Sequence, residues 1–540
     1  MFHQLLTPVA GSLWPSFVVA ALPIATVLIL LGVLRLPAWV ASLGGVLAGL
    51  AVAVLAWRFP LALALDSFAA GFVFAVWPVM WIVVNALLLY NIAVVSGRFA
   101  AFRDWVLDHL PDDRRVVLVV IGFCFGALLE GISGFGTPVA ITSALLIMLG
   151  FEARDALAFT LIFNTAPVAF GALGVPITTL GAVTHLSDVT LGAMIGRQLP
   201  FIALLLPFYV TGLYGGRRSV AALWPVLLVA GGSFAAVQFL VSNFVSYALA
   251  DVLSSLGALS ATVLFLKCWK PKPDAGFTVA RRRPGAQGSF ATAPRDPRVS
   301  TWQGWVPWIV VSAVVIAWTS LDVPRLLEVR IPWPHLDNAV FITLYGKPYA
   351  AVWDFQLLAT GTAILTASIV TAALLGCGAR DLLRAVSLTW RQSRWTVLTV
   401  GLIVGLAYLM NYSGLNYTLG LGVASAGVAF PLLSAFLGWI AVCLSGSDTS
   451  GNALFGNLQV VAARQLHLNP VLIAATNSAG GVMGKMVSPQ NLATGASVTA
   501  LQGQEGAVLA KTFVHSLILT VLLGLLVVAQ QYVVPWMIPK

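Results

Sequence analysis

The chain has 540 residues, of which 59% are hydrophobic and only 9% are charged, whereas about 25% charged residues is typical of a soluble domain. Apolar stretches of about 20 residues recur along the whole sequence, and each is long enough to cross about 30 Å of hydrocarbon. Because helices of soluble proteins keep one polar face, this pattern excludes an ordinary globular protein. It predicts an all-α polytopic membrane protein.

The net charge of +10 is unevenly distributed. Residues 267–304 contain eight Lys or Arg, and residues 379–394 contain four Arg. Short basic loops mark the cytoplasmic side of a membrane protein. The charge therefore indicates topology, and we do not expect a nucleic-acid partner. The four cysteines are isolated in the sequence, without the paired spacing of a disulfide framework or a metal site.

The apolar pattern predicts about twelve transmembrane helices. The predicted spans are 15–34, 37–57, 77–97, 156–184, 193–213, 220–243, 247–266, 305–320, 355–378, 395–412, 469–498 and 512–534. Two of them, 156–184 and 469–498, contain Gly, Pro and Asn in mid-span and are expected to be broken helices. Two further apolar segments, 116–151 and 419–463, are interrupted by glycine-rich stretches, and we expect each to form a re-entrant hairpin.

The two glycine-rich stretches, GISGFGTPVAI and SGSDTSGNALFG, are followed by matching residues at a fixed offset. Asn477 follows Asn164 by 313 positions (477 − 164), and Pro489 follows Pro176 by the same number (489 − 176). Irregular backbone is tolerated at membrane depth only where protein buries it or where it lines a cavity. Paired interruptions in two halves point to the binding site of a transporter built from two inverted-topology repeats.

The charge pattern divides the chain into three parts. We expect a first transmembrane half at 1–266, a basic cytoplasmic linker at 267–304 and a second transmembrane half at 305–540. With the linker in the cytoplasm, both termini lie outside and the two hairpins open on opposite faces, as an inverted repeat requires. Residues 58–77 and 379–394 resemble amphipathic helices at the membrane surface.

The interrupted segments offer polar groups that suit a carboxylate. A half-helix that begins inside the membrane presents free N–H groups and a positive dipole end. The candidate substrate ligands at such ends are Gly134, Gly136, Thr137, Ser447, Thr449 and Ser450. Further candidates in mid-span are Asn164, Thr165, Asn477 and Ser478, where unwound carbonyls would suit a cation and the side chains would suit a cavity. The alternative is that these stretches are helix kinks packed by small residues.

Three charged residues occupy predicted membrane positions. Lys485 lies near the centre of a predicted span, where a lysine costs about 2.5–3.5 kcal/mol and therefore implies a partner or an aqueous site. We expect it to bind the substrate carboxylate, directly or through a bridging acid, although a purely structural ion pair is the alternative. Glu130 and Asp448 are candidate proton carriers. Asp448 has two alternative roles, capping a half-helix or pairing with Lys485. Asp251 is expected near a span end.

Several long motifs resemble the bacterial lactate permease family. They are WPVMWIVVNALLLYN from Trp77, EGISGFGTPVAI from Glu130, FNTAPVAFGALGVPI from Phe163, SGSDTSGNALFGNLQ from Ser445 and TNSAGGVMGKMVSPQNLA from Thr476. The resemblance covers nearly the whole chain. It implies symport of H⁺ with L-lactate, D-lactate or glycolate in the bacterial inner membrane. It also implies two inverted repeats and alternating access by an elevator-like displacement, which is an analogy at the level of the fold.

Other functions remain open at this point. Na⁺ could replace H⁺ as the coupling ion, because unwound carbonyls around Asn164 and Asn477 would suit it. An anion channel is a further alternative. Gly131–Gly134 fits the GxSG pattern of intramembrane serine proteases, but no His lies centrally in a predicted span, so an enzyme is not expected. Neither a cofactor nor a metal site is expected. The expected partners are a small hydroxymonocarboxylate and the lipid bilayer, with the protein a monomer or a homodimer.

Overall fold

The computed structural model describes the chain outside a few short gaps and the middle of the linker. The described residues are 1–30, 34, 36–132, 134, 137–272, 274–278, 300–499, 501 and 504–539. Most of the predicted linker, residues 279–299, and the predicted site residue Gly136 lie outside them. The described start of the linker is fixed to the first half, because Arg114 Nη2 donates a hydrogen bond of 2.9 Å to the Gly276 carbonyl.

The chain is predominantly helical in both halves. The helices of the first half are α1 (Leu13–Leu28), α2 (Ala38–Leu55), α3 (Leu61–Phe74), α4 (Trp81–Val95), α5 (Arg98–Asp108), α6 (Arg114–Val117), α7 (Gly126–Ile132), α8 (Thr137–Met148), α9 (Ala153–Phe163), α10 (Gly171–Thr184), α11 (Asp188–Ile195), α12 (Leu199–Phe244) and α13 (Ala250–Cys268). Those of the second half are α14 (Val306–Ser320), α15 (Thr360–Leu374), α16 (Ala379–Ser413), α17 (Leu415–Ala424), α18 (Phe430–Ser445), α19 (Asp448–Gln465), α20 (Pro470–Lys485), α21 (Pro489–Thr499) and α22 (Glu505–Tyr532). Stretches of π-helix, Ala75–Met80 and Leu118–Phe125, join α3 to α4 and α6 to α7.

Many of these helices meet the requirements of a membrane span. Within the described residues, eight are long and apolar enough to cross a membrane, or nine if α9 and the segment Val168–Thr184, bent by 65°, form one span. Four shorter apolar helices of 10–17 residues accompany them. The segment Arg114–Ile132 is buried along its whole apolar window, which places it in the interior of the bundle. The prediction of an all-α polytopic membrane protein is confirmed.

A small β-structure covers one end of the second half. Its strands are β1 (Phe2–His3), β2 (Glu328–Pro332), β3 (Val340–Ile342), β4 (Lys347–Tyr349) and β5 (Val352–Gln356). β3 pairs with β1 in parallel and with β4 antiparallel, while β2 and β5 form a separate antiparallel ribbon. Most of this region lies between the predicted spans 305–320 and 355–378, where no element was predicted from the sequence. The pairing with β1 ties the N-terminus to this region.

The first interrupted segment folds back on itself. A continuous helical run from Arg114 ends at Ile132, and the backbone then passes through Gly134 with a positive φ of 52°. Glycine adopts this left-handed conformation without steric cost. Helix α8 returns along Leu118–Phe125, and Arg114 Nη1 donates to the Gly150 carbonyl at 3.3 Å. Both ends of this helical hairpin therefore lie close together.

The second interrupted segment forms a matching hairpin of α18 and α19 around Gly446, whose φ is 72°. Gln459 Nε2 of the returning helix donates to the Ser434 carbonyl at 3.0 Å. The predicted start at residue 419 was wrong, because α17 is a separate helix that ends at Ala424. The hairpin begins at Phe430, where the following proline, Pro431, fits the first turn of a helix.

The predicted interruption around Asn477 was also wrong. Helix α20 is unbroken through Asn477 and ends at Lys485, and the chain breaks at 486–488 before α21 begins with Pro489. In the first half, residues 172–174 have positive φ values of 46°, 57° and 83°, and regular helix resumes near Pro176. Pro176 and Pro489, the matching prolines of the two halves, therefore each follow a break in a helix.

A further correction concerns residues 379–394. Instead of a separate surface helix, they form the first part of α16, which continues without a break into the predicted span 395–412. In the first half, α3 covers most of the predicted surface helix 58–77 and is separated from α4 by non-helical backbone at Trp77. The two halves thus differ: residues 379–394 continue directly into the next span, whereas α3 is separated from α4 by a break.

Close packing of α18 against α20 holds the second hairpin in place and gives a first prediction. A Cβ added at Gly480 would lie only 2.8 Å from the Ala435 Cα, so Gly480→Ala forces the two backbones apart. We expect a loss of about 1–3 kcal/mol in stability, as is typical of overpacking. Thermal unfolding of the purified protein measures the change.

Gly506→Ala is the matched control, because nothing lies within 4 Å of a Cβ at this position in α22. It should be neutral or slightly stabilising, since alanine favours helix over glycine by about 0.5–1 kcal/mol. Equal stability of the two variants would contradict the close packing of α18 and α20.

Candidate substrate site

The breaks of the two halves meet around a small polar cavity of about 40 Å³. On the order of three water molecules fit into such a volume. The cavity is lined by the end of α7, the break before α10, the tip of the α18–α19 hairpin and the break between α20 and α21. Its polar lining residues include Glu130, Ser447, Asp448, Thr449, Lys485, Gln490 and Asn491, with Gly134, Gly171 and Gly446 among its backbone walls.

An ion pair between the two halves forms one wall of the cavity. Lys485 Nζ lies 2.7 Å from Glu130 Oε1, and the exposed fractions of the two side chains are 6% and 3%. The second carboxylate oxygen, Glu130 Oε2, accepts a hydrogen bond of 3.0 Å from Asn164 Nδ2. Three residues that sequence analysis singled out separately are thus in direct contact. The two charges neutralise each other inside the protein.

Local structure explains the position of both charges. Lys485 is the last residue of α20, where the partial negative charge of the helix end favours a cation. Asn491 Nδ2 donates to the Lys485 carbonyl at 3.3 Å and to the Gly446 carbonyl at 3.0 Å, which ties this helix end to the hairpin tip. Gly171 leaves room for Glu130, because a Cβ there would lie 2.9 Å from Glu130 Oε1.

Asp448 also lines the cavity, from the first turn of α19. Its Oδ2 accepts hydrogen bonds from Ser478 Oγ at 2.5 Å and from Asn452 Nδ2 at 3.3 Å. The N-cap of α19 is Ser447, whose Oγ accepts from the Ser450 N–H at 3.3 Å. Asp448 therefore neither caps the helix nor contacts Lys485 directly.

An amide network connects this hairpin to the rest of the bundle. Asn452 Nδ2 donates to the Pro176 carbonyl at 3.1 Å, and Asn477 Nδ2 donates to Asn452 Oδ1 at 2.9 Å. Gln459 Nε2 donates to Asn477 Oδ1 at 2.8 Å. The predicted ligand Asn477 thus uses its side chain to hold α19 against α20. Because buried polar groups must be paired, these bonds fix how the hairpin packs.

The other predicted site residues fall into two groups. Ser447 and Thr449 line the cavity together with Gly134. Thr165 instead donates to the Ile162 carbonyl at 2.7 Å, and Ser478 binds Asp448, so neither borders the cavity. Helix α8 begins at Thr137, but the side chain of this residue is outside the described part of the chain, as is Gly136.

Ser450 borders a neighbouring groove of about 400 Å³. This groove shares Ser447 and Gln490 with the cavity, so the two volumes adjoin. The stacked indoles of Trp39 and Trp395, with ring centroids 5.3 Å apart, form part of its wall. The groove therefore lies directly beside the cavity.

Sequence analysis missed several residues at the site. Gln490 and Asn491 directly follow Pro489, and the repeat of prolines around the breaks was a usable signal for them. Asp251 was expected near a span end, whereas the structure buries it completely in the first turn of α13. Its Cβ packs against Gly131, the neighbour of Glu130. No sequence pattern distinguishes this residue from the other acids that flank predicted spans.

The described residues provide a buried cation, an adjoining helix N-terminus and neutral polar groups around a cavity, within a bundle of membrane-spanning helices. Such a combination is typical of membrane transporters that bind a small anion. The chain belongs to the L-lactate permease family, whose model matches residues 16–534.

Known proteins similar to this chain include two curated bacterial permeases. An L-lactate permease of Salmonella typhi is 40% identical over 547 residues, covering 98% of each chain. The glycolate permease GlcA of Escherichia coli K12 is 39% identical over 543 residues, covering 97% of each chain. Among solved structures, MtrF of Neisseria gonorrhoeae, from a class of antimetabolite efflux pumps, aligns over 88% of this chain and 84% of its own, with 14% identity and a TM-score of 0.46.

The buried ion pair leads to a prediction about stability. Lys485→Met leaves Glu130 buried without its cation, and breaking a buried pair in this way costs about 3–5 kcal/mol. The double variant Lys485→Met/Glu130→Gln should recover most of this loss, because no uncompensated charge remains. Denaturant or thermal unfolding of the purified variants measures both effects.

Lys511→Met serves as the control, because Lys511 pairs with Asp155 at a partly exposed position. Solvent screens such a pair, so the loss should stay below about 1 kcal/mol. If the double variant is no more stable than Lys485→Met alone, Glu130 does not depend on Lys485 for its burial.

Proposed function

We propose that this protein takes up lactate, together with related 2-hydroxymonocarboxylates such as glycolate, by proton symport across the bacterial inner membrane. Its membership of the L-lactate permease family supports the substrate class. Relatives that carry the names L-lactate permease and glycolate permease, matched over nearly their whole length, support it further. The site acts in binding and translocation, and the substrate leaves the protein chemically unchanged.

The observation that carries the proposal is the contact of Lys485 with Glu130 at the wall of the cavity. Lys485 is the one described cation that borders this cavity, so a substrate carboxylate that enters must interact with it. The incoming carboxylate then competes with Glu130 for the same ammonium group. The substrate and Glu130 are alternative partners of Lys485.

Proton coupling follows from this competition. Once the substrate carboxylate occupies Lys485, Glu130 would remain as a buried carboxylate whose remaining side-chain donor is Asn164. An isolated buried charge is strongly unfavourable, and the carboxylate avoids it by taking up a proton. Substrate anion and proton therefore bind together, and the charge of the site stays constant. The transported unit, one monoanion with one H⁺, is electroneutral.

Neutral donors around the cavity suit the 2-hydroxyl group of the substrate. Ser447, Thr449 and Gln490, which carry hydroxyl and amide groups, are among the residues that line the cavity. A site that hydrogen-bonds a substrate hydroxyl discriminates against an analogue without it, because the partners of that hydroxyl are then left unpaired. The polar lining thus favours hydroxy acids over simple fatty acids.

Transport requires the cavity to change its size and access. Lactate has six non-hydrogen atoms, so a cavity for on the order of three waters must widen to admit it. Separation of Lys485 from Glu130 provides such an expansion at the contact of the two halves. We propose that this separation, with access through the groove beside Ser447 and Gln490, initiates an alternating-access cycle of the elevator type.

Uptake of labelled L-lactate into proteoliposomes tests the function. An inward-directed proton gradient should drive accumulation of lactate by the wild type. In Lys485→Ala this accumulation should be lower by at least about a hundredfold, because the substrate carboxylate loses its charge partner inside the protein. Glu130→Gln should retain exchange of labelled for unlabelled lactate but lose accumulation driven by the proton gradient. Retained exchange with lost accumulation would show that the variant still binds lactate but no longer couples its transport to the proton gradient.

Lys511→Ala is the matched control, because it removes a lysine of the second half that lies far from the cavity lining. A Na⁺ gradient forms the second arm of the experiment. Asn164 Oδ1 is buried without a partner among the described residues, beside the break that follows α9, and this oxygen is the observation that favours Na⁺. Uptake that is driven by the Na⁺ gradient and unaffected by the proton gradient would show that Na⁺, and not H⁺, is the coupling ion.

Asp448→Asn addresses the other candidate proton carrier. If Glu130 carries the proton, Asp448→Asn should keep accumulation driven by the proton gradient, with a weaker apparent affinity because the bond with Ser478 changes. Loss of accumulation with intact exchange in Asp448→Asn would assign the proton to Asp448 instead.

Competition experiments test recognition of the hydroxyl group. Glycolate and D-lactate should inhibit L-lactate uptake, whereas propionate, which lacks the hydroxyl, should be weaker by about tenfold or more. Inhibition constants measured in the same proteoliposomes give the comparison. Equal inhibition by propionate and lactate would contradict a polar site for the hydroxyl.

A further inference from the structure

Asp251 is an acidic residue next to the proposed site for which the mechanism so far has no use. It lies in the first turn of α13 and is fully buried. Within the described part of the chain, neither oxygen of its carboxyl group has a hydrogen-bond partner in good geometry. The neighbouring amide of Gln238 contributes a weak interaction, but its Nε2 donates to the Ala166 carbonyl at 3.0 Å.

The surroundings of Asp251 contain one more acid and one base. Glu130 of α7 and Lys485 of α20 are the charged groups that act on it. Lys485 is already neutralised by Glu130 at 2.7 Å. Titratable groups on other adjoining segments have partners of their own, since Tyr247 donates to Asp188 at 2.6 Å and Cys124 lies beside Thr262. An ionised Asp251 would therefore be a second negative charge with no cation of its own.

The balance of charges then determines the state of Asp251. A buried carboxylate without a cation or a close donor is far less favourable than the neutral acid. Glu130 has Lys485 and Asn164 as partners and is the better place for the negative charge. With Glu130 ionised and Asp251 neutral, the net charge of the three groups is zero.

We propose that Asp251 is held as a neutral carboxylic acid beside the site, so that the group of Asp251, Glu130 and Lys485 contains one resident proton in addition to the one that is transported. Ionisation of Asp251 at alkaline pH adds a negative charge beside Glu130 and Lys485, and this charge opposes binding of the substrate anion. Asp251 is thus a positioning residue that keeps Lys485 available. The inference rests on the proposed function, because it assigns Lys485 to the substrate carboxylate.

Infrared spectroscopy of the purified protein without substrate tests the resident proton. Near neutral pH, the wild type should show a C=O stretching band of a protonated carboxylic acid that is absent from Asp251→Asn, and the band should shift slightly in D₂O. Asp108→Asn, a change at an exposed acid, is the control and should leave the band intact. If the wild type and Asp251→Asn have the same spectrum in this region, the proposal fails.

Binding of labelled lactate as a function of pH tests the consequence. In the wild type, affinity should fall more steeply at alkaline pH than in Asp251→Asn, because the transported proton and the resident proton are then both lost. In Asp251→Asn only the transported proton titrates, so affinity should fall by about tenfold for each pH unit. Asp251→Asn alone should keep accumulation driven by the proton gradient, because asparagine mimics the neutral acid. Asp251→Ser provides a second neutral variant in case asparagine prevents folding.

The outcomes separate this inference from the proposed function. Loss of proton-driven accumulation in Asp251→Asn with intact exchange would overturn the inference, because Asp251 would then carry the transported proton. If the protein shows the infrared band of a protonated carboxylic acid but does not bind lactate, Asp251 is neutral as proposed. The proposed substrate is then wrong instead. An alkaline loss of affinity that is equally steep in the wild type and in Asp251→Asn would contradict the repulsion from Asp251.

Discussion

The rest of the structure depends on one interaction, the buried ion pair of Lys485 and Glu130. Each charge would be several kcal/mol too costly inside a membrane protein on its own. Together they neutralise each other at 2.7 Å, and they belong to different halves of the chain. The two halves must therefore stay in contact, or another carboxylate must take the place of Glu130. Under the proposed mechanism, this requirement connects the stability of the fold with substrate binding and with proton uptake.

The helix breaks bring these charges to the cavity. The end of α20 places a cation where the helix dipole favours it, and Asn491 satisfies the carbonyl of Lys485. The tip of the second hairpin turns at Gly446, where a side chain would be strained and crowded. Amide side chains of Asn452 and Asn477 then fasten the hairpin to both neighbouring helices. The polar groups near the site are therefore divided between holding the helices together and lining the cavity.

This division limits what could be predicted about the site from sequence. Lys485 and Glu130 were identifiable because a charge in an apolar span is rare. Asn477 and Ser478 have the same chemistry as a substrate ligand, yet they donate to Asn452 and Asp448. Asp251 resembled an ordinary acid at a span end, and only the packing of α13 against Gly131 shows that it is buried beside Glu130. In each case the role of the residue depends on contacts between helices that are distant in the chain.

The sequence by itself determined the membrane class, the repeated Asn and Pro positions 313 residues apart and the two glycine-rich interruptions. Hydrophobicity and helix breaking can be recognised from neighbouring residues, and the repeat from a comparison of two stretches of sequence, so none of these features depends on which helices are in contact. Only the tertiary structure decided where α20 ends, since Asn477 in mid-helix is held by bonds to α19. It also decided which acid pairs with Lys485. The reason is physical: the energy of a buried charge depends on its partners across the bundle, and these partners are hundreds of residues away in the chain.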